Sequence, residues 1–390
     1  MRGCGKSESA RRFAKSIVEL DRDPSSLQLA LLDPAATLTG PTPRLIDEWQ
    51  HAPDLWNVAR RLVDDRRAKG QFIFTGSSTK LNPGVLHPGS ARVLRLQMRT
   101  FSVTERQISD GAYSLGNLFE GKRITGIAGE MVPLERLLDL ICVGGWPAHQ
   151  DLTARDALRL HNSYLFDILN LDLKVLDGPS DPKIASALLT CLAQTLGEKV
   201  PVTRLVSLIR ASGLTLRHQT AQAYLNQFKA LWITEEIEAW APRLRSKYTI
   251  NQSAKRYFGD ASLAVSALKA NSAKLIKDLK TAGFIFENFV ISSLLTFMDA
   301  LDGSVRYYRD ESGLEVDAVL EDSEGRWGAV EIKLGFNQVD NAAETLLRFS
   351  ERVDTSVMGE AAFLAIITNS AASYQRPDGV HVIAINKLGI

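Results

Sequence analysis

The sequence predicts a mixed α/β chain built in three parts. Strand and helix patterns alternate over residues 1–130, and helical periodicity dominates residues 131–270. From 271 onward short apolar strands return around a long helix. At 390 residues the chain exceeds one ordinary core, so two or three domains are expected. Hydrophobic residues at 45% and charged residues at 23% fit a globular protein, and a net charge of +1 gives no overall pull toward nucleic acid or membrane.

Within the first part, Ser7–Leu20 reads as a helix with Phe13, Ile17 and Leu20 on one face. Leu27–Leu32 reads as a short strand stopped by Asp33-Pro34, before the loop "TGPTP". "RLIDE" is a strand, Leu55–Lys69 a helix, "QFIFTGSS" a strand, and "RVLRLQ" near 92–97 another. This alternation implies a three-layer domain on a parallel sheet.

In the second part, Met131–Val143, Asp156–Asp172 and Lys183–Leu196 read as helices. Val202–Ala211 and Leu216–Leu231 flank the turn "SGLT" like a helix-turn-helix, and "WITEEIEAW" and "SKYTIN" follow as two alternating segments. That is the order of a winged helix. The third part opens with a long helix, Ser272–Leu301. "VRYYRD", "LEVDAVLED" and "WGAVEIKLG" follow, then a helix near Asn341–Arg352 and the strands "AAFLAIIT" and "VHVIAI".

Cys4, Cys142 and Cys191 are scattered and odd in number, which argues against a disulfide framework or a cysteine-bound zinc and fits a reducing cytoplasm. No uninterrupted apolar run reaches membrane-spanning length, and no secretory signal is evident, so no membrane partner is expected.

Chemistry concentrates in two places. Gly5-Lys6-Ser7 is the back half of a phosphate-binding loop, whose lysine reaches phosphates and whose hydroxyl holds Mg²⁺. Alone it also fits a turn before a helix. "LIDEWQ" ends an apolar strand in Asp47-Glu48, where one carboxylate can hold Mg²⁺ and the next can orient a water. "FIFTGSS" ends another strand in Thr75, Gly76, Ser77 and Ser78, hydroxyls that suit a γ-phosphate sensor. Three such elements at strand C-termini converge on the crevice where α/β sheets bind ligands.

These blocks, with "GCGKSESARRFA", "GSARVLRLQMRTFSVTE", "GGWPAHQ" and "SGLEVDAVLE…GAVEIKLG", resemble the prokaryotic AAA-type ATPases that carry a C-terminal DUF4143 domain. The resemblance spans nearly the whole chain. It implies a P-loop NTPase-type domain that binds ATP and Mg²⁺ through Gly3, Cys4, Gly5, Lys6, Ser7 and Glu8. Asp47 would hold Mg²⁺ with Ser7, Glu48 would be the catalytic base, and Thr75 and Ser77 the sensor. Arg92, in the "GSAR" block, would contact the γ-phosphate of its own or a neighbouring subunit in a homo-oligomer; a solvated or structural arginine is the alternative. Two departures stand out. The family's first strand and first loop glycine do not precede Met1, so weaker ATP binding than by a chain extended upstream is expected. Thr100 stands where the family commonly has proline.

Residues 199–260 hold ten Lys or Arg against four Asp or Glu. With Arg217, His218 and Gln219 opening the second helix of the helix-turn-helix, DNA contact is one reading, and a solvated or protein-binding face the other. In the third part, Asp317, Glu331 and Lys333 match the D…(D/E)-x-K signature of the restriction-endonuclease-like fold, and Glu287 matches the acidic residue often found on the preceding helix. Period-2 alternation puts Glu331 and Lys333 on one face, where Asp317 and Glu331 could hold Mg²⁺. A cross-strand ion pair stabilising the sheet is the alternative. The expected function is a Mg²⁺-dependent ATPase coupled to a nuclease-like domain. A metal-dependent DNA nuclease with a regulatory or inactive ATPase domain, or a non-catalytic DNA- or protein-binding adaptor, are the rivals.

Overall fold

The computed structural model describes residues 1–77, 92–122, 124–176, 178–243 and 252–390. The chain forms two compact units, 1–98 with 230–232, and 99–229 with 233–390.

The first unit is a parallel sheet of β1 (Ser16–Glu19), β2 (Arg44–Asp47) and β3 (Phe72–Phe74) in the order β1-β2-β3. Its helices are α1 (Lys6–Arg11), α2 (Pro24–Leu32), α3 (Pro34–Thr37) and α4 (Asp54–Arg66). The core is formed by Val18, Leu20, Ala30, Leu38, Ile46, Leu55 and neighbours.

Three sequence expectations are corrected here. The helix expected over 7–20 stops at Arg11, and Ser16–Glu19 is a strand. Phe13 is exposed while Val18 and Leu20 are buried, so no single helical stripe joins them. The segment read as a strand at 27–32 belongs to α2, because Asp23 caps it by accepting from Ser25 N at 3.0 Å and Pro24 supplies the first-turn φ. Finally, "RVLRLQ" forms no strand, and its Leu94 and Leu96 are exposed, which removes the burial that would fix a strand face.

The second unit begins with β4 (Tyr113–Ser114), α5 (Leu115–Phe119) and β5 (Ile127–Ala128). The helical stretch holds α6 (Leu134–Val143), α7 (Ala154–Asp167), a π turn at Ile168–Asp172, α8 (Leu173–Val175), α9 (Pro182–Gln194), α10 (Val202–Ala211) and α11 (His218–Ala230). The strands β6 (Thr234–Ile237) and β7 (Lys255–Phe258) then pair antiparallel. "SKYTIN", residues 246–251, lies outside the described residues. After α12 (Ala261–Ala267) the helix expected over 272–301 is two helices, α13 (Ser272–Lys277) and α14 (Leu279–Ala300). Asp278 interrupts it, leaving the helical region to cap α14 by accepting from Thr281 N at 3.1 Å. By length and mean hydropathy α14 could cross a membrane, but 67% of that stretch is buried in the fold, as in a core helix.

The remaining elements are β8 (Ser304–Arg309), β9 (Glu315–Glu321), β10 (Trp327–Lys333), α15 (Val339–Ser350), α16 (Thr355–Met358), β11 (Phe363–Thr368), β12 (Ala372–Gln375), β13 (His381–Ala384) and β14 (Leu388–Gly389). Seven strands make one mixed sheet, β5-β12-β13-β11-β10-β9-β8, parallel only at β10–β11 and β11–β13. The amphipathic face of α15 covers it, with Leu346 and Phe349 in one cluster with Trp327, Ala329 and Ile366.

Two buried clamps tie β7 and the start of α12 to their neighbours in the second unit. Asp260 accepts from Gly145 N at 2.8 Å, Thr100 Oγ1 at 2.7 Å and Ser262 N at 2.9 Å, which gives Thr100 a defined structural partner. Gly145 packs so closely that a Cβ there would lie 2.6 Å from Phe101 O. Asn288 on α14, fully buried, accepts from Phe258 N and donates to Phe258 O, both at 2.8 Å. Asn288→Ala is therefore expected to cost about 2–4 kcal/mol, since two bonds go and two buried backbone groups lose their partner. Denaturant unfolding followed by tryptophan fluorescence measures it, and a loss below about 0.5 kcal/mol would contradict the clamp.

Candidate functional site

Two constellations emerge, one in each unit. In the first, strand register does the positioning. Glu19 pairs with Asp47, and Ile46 with Phe74. The ladder runs one step further, with Thr75 N donating to Ile46 O at 3.1 Å and Trp49 N to Thr75 O at 3.2 Å. Asp47 and Thr75 are thereby side by side at the strand ends.

The Asp47 carboxylate, 4% exposed, accepts from Ser7 Oγ at 2.9 Å and from Thr75 Oγ1. Glu48 turns out of the strand in the left-handed region, at φ 51°. Its carboxylate accepts from Ser77 Oγ at 3.2 Å and from Gln50 Nε2. Gly5, at φ 93°, makes the turn into α1 that a side-chain-bearing residue rarely adopts. Lys6 Nζ donates to Met1 O at 2.7 Å, and Cys4 Sγ donates to the same oxygen at 3.1 Å. Gly3 also has a left-handed backbone, and Glu8 points outward to Arg11. Ser7, Asp47, Glu48, Thr75 and Ser77 are thus brought together, as their spacing along the sequence suggested. Arg92 is placed differently, against Asp64 of α4, and Ser78 lies outside the described residues. The hydroxyl and carboxylate oxygens of Ser7 and Asp47 are hard donors of the kind Mg²⁺ takes, so the residues fit that ion.

The second constellation lies at the β9–β10 pairing. Glu331 stands opposite Asp317, one step beyond the registered pair Val330–Ala318. Asp317 Oδ2 accepts from Ile332 N at 2.8 Å and from Lys333 Nζ at 3.0 Å, and Lys333 Nζ is 2.6 Å from Glu331 Oε2. Glu287 of α14 accepts from Tyr257 Oη at 2.5 Å and fits against Gly197, where a Cβ would lie 2.9 Å from its Oε1. The four residues singled out by sequence do gather. Three others were missed: Lys255 and Tyr257 on β7, and Glu315 at the start of β9. By sequence Lys255 is one of ten basic residues in the 199–260 segment, and nothing local marks it as buried.

The electrostatics follow from burial among like charges. Burial, reinforced by Asp317, pushes Glu287 up to about 7 and Glu331 up to about 8. Burial also acts on Asp317, but Lys333 and Lys255 outweigh it and hold its carboxyl below the usual range. Both ammoniums are raised above the ordinary lysine value; burial opposes this, and the surrounding carboxylates win.

The basic segment 199–260 is largely engaged. Lys229 and Arg256 pair with Glu236, Lys199 donates to Gln252, and Lys255 is buried. Arg204, Arg217, His218 and Gln219 are exposed. Arg245 and Lys247 lie outside the described residues. All three cysteines are free thiols and buried. Among the described residues, no group of three or more His, Cys, Asp or Glu side chains is arranged to hold a metal ion.

Glu287 and Glu331 keep protons in the folded chain that the unfolded chain, with carboxyls near 4.5, has already released. The folded state binds more protons in that window, so their contribution to stability falls as pH rises from about 4.5 to about 8. His161, held down to about 4 by burial, acts in the opposite sense below 6.5. The Glu331 share is therefore isolated by difference. Glu331→Gln should gain thermal stability relative to the parent as pH is raised from about 6 to 8. An unchanged difference across that range would refute the assignment.

Comparison with known proteins places names on these regions. Residues 1–107 match the AAA domain, residues 134–274 a domain of unknown function termed DUF8612, and residues 282–388 a domain of unknown function termed DUF4143. Two curated relatives are similar over most of the chain. They are the uncharacterised protein Mb2031c of Mycobacterium bovis and the uncharacterised protein Rv2008c of Mycobacterium tuberculosis. Each is 24% identical over 338 residues, covering 85% of this chain and 68% of its own length. The chain thus joins an N-terminal AAA domain, a nucleotide-binding type of domain, to a C-terminal DUF4143 domain.

Proposed function

We propose that this protein is an ATP hydrolase whose reaction centre lies in the AAA domain. One observation carries the reading: Asp47 is bonded to both the Ser7 and the Thr75 hydroxyls, while Glu48 beside it is turned away and held by Ser77 and Gln50. Two adjacent carboxylates have been given separate surroundings, as separate roles require.

In this reading Ser7 and Asp47 would hold Mg²⁺, which when bound neutralises phosphate charge. The Lys6 ammonium leaves the Met1 carbonyl for the β- and γ-phosphate oxygens, a charge-assisted contact that orients the nucleotide. Glu48 accepts a proton from the attacking water and aligns it with the γ-phosphorus, whose bond to the β–γ bridging oxygen breaks as the new one forms, so that ADP leaves with that oxygen. Thr75 and Ser77 tie the two carboxylates to the end of β3, so γ-phosphate loss is felt by that strand end. Arg92 would have to leave Asp64 to take part.

Phosphate release from ATP with Mg²⁺ tests the proposal. Glu48→Gln should lower kcat by about 10²–10⁴-fold with nucleotide binding kept. Lys6→Ala should weaken binding of ATP by about 10–100-fold, the size of a charge-assisted contact. Hydrolysis by either variant at the parent's rate and affinity would remove the mechanism.

A second reading, DNA cleavage by the C-terminal unit, draws on the gathering of Asp317, Glu331, Lys333 and Glu287 in the pattern of the restriction-endonuclease-like fold. The metal such chemistry needs does not fit these residues as arranged, because Lys333 already bridges Asp317 and Glu331. No cleavage step is derived. DNA contact by a winged-helix-like arrangement of α10, α11, β6 and β7 would rest on Arg217, His218 and Gln219. Salt-insensitive binding of duplex DNA, or none, would count against it.

A further inference from the structure

Lys255 has no part in either reading, yet it is the most deeply buried charge in the C-terminal cluster, at 1% exposure. Its Nζ lies 2.6 Å from Glu315 Oε1, 3.9 Å from Glu287 Oε1 and 4.0 Å from Asp317 Oδ1. The Tyr307 ring centroid is 5.5 Å away, presenting its negative face to the same ammonium. Three carboxylates from two different elements, α14 and β9, therefore surround one positive nitrogen. On the other side of Asp317, Lys333 takes Oδ2.

The two lysines differ in how they are carried. Lys333 belongs to β10, inside the seven-stranded sheet that also supplies Asp317 and Glu331. Lys255 belongs to β7, which pairs only with β6 in a separate two-stranded sheet. β7 is held in place by the Tyr257–Glu287 bond and the Asn288 clamp on Phe258, and the segments flanking the β6–β7 pair are tied to β8, with Trp240 N donating to Tyr307 O at 2.6 Å and Tyr307 Oη to Ser253 O at 2.6 Å.

We infer that Lys255 is a built-in counter-cation: its ammonium occupies the place of a divalent ion among Glu287, Glu315 and Asp317, so the centre excludes metal. The chemistry of the surroundings supports this. Buried carboxylates need positive charge, and an ammonium and a hard divalent cation satisfy the same oxygens. A fixed cation in the middle repels a second one across a few ångströms of poorly screened interior. The inference stands apart from the ATP hydrolase reading and survives its failure.

Mn²⁺ titration of the nucleotide-free full-length chain, followed by electron paramagnetic resonance, tests it. The parent should bind no Mn²⁺ whose uptake is lost on Asp317→Asn. Lys255→Ala should gain one such ion, at least about tenfold tighter than any parent binding, and Asp317→Asn in the same chain should abolish the gain. Lys255→Arg, which keeps the charge, should stay without it. Should Lys255→Ala fail to fold, Lys255→Met fills the same volume without charge and takes its place. Uptake by the parent that is sensitive to Asp317→Asn overturns the inference whatever the variants do. So does a folded, charge-free variant at position 255 that takes up no ion.

Discussion

A charged nitrogen cut off from water must be surrounded by compensating oxygens, and in the second unit that demand is concentrated on Lys255. Its ammonium ties together β7, α14 and β9, three elements that no backbone ladder joins. Breaking such a buried group by removing one partner leaves an uncompensated charge, which is far costlier than never having built it. The surrounding structure is consistent with that constraint. Tyr257, two residues on, bonds Glu287, and Phe258, three residues on, is clamped by Asn288. Gly197 leaves room for the Glu287 carboxylate. The seven-stranded sheet, α14 and the β6–β7 pair are thus tied by polar bonds whose loss the interior cannot cover with water.

In the AAA domain the governing constraint is register. Parallel pairing places the C-terminal ends of β2 and β3 at the same height, so Asp47 and Thr75 meet without any long side chain having to reach. Arginine-sized reach is absent from the bonds that join Ser7, Asp47, Thr75, Glu48 and Ser77. Short side chains on a rigid sheet edge lose little conformational freedom when they are ordered.

Much of this was legible along the chain, and the exceptions have physical causes. "LIDEWQ" and "FIFTGSS" announced strand ends because an apolar run stopped at polar residues, and the sheet confirmed both positions. Glu331 and Lys333 were readable as one face because strand alternation is strictly local. Leu27–Leu32 misled because an apolar run carries no period of its own, and the decisive signal, the cap and proline at Asp23-Pro24, sat just upstream. The helix expected over 7–20 failed because Phe13 matched a stripe by spacing but found nothing to cover it. Lys255 was invisible for a different reason. Its partners lie far along the chain, and a lysine beside Arg256, which pairs with Glu236 of β6, reads as one more solvated charge.

The clustering of Lys255 with distant carboxylates also constrains the order of assembly. Glu315 and Asp317 are synthesised long after β7, and a contact between them closes a long loop. Until β9 and α14 are in place, the ammonium has no counter-charge and must stay hydrated. The hairpin side of this region therefore cannot dry before the large sheet has formed. Folding of the second unit is expected to be ordered by electrostatics, with amide protection at Tyr257 and Phe258 in pulse-labelled exchange appearing no earlier than protection of β9 and β10.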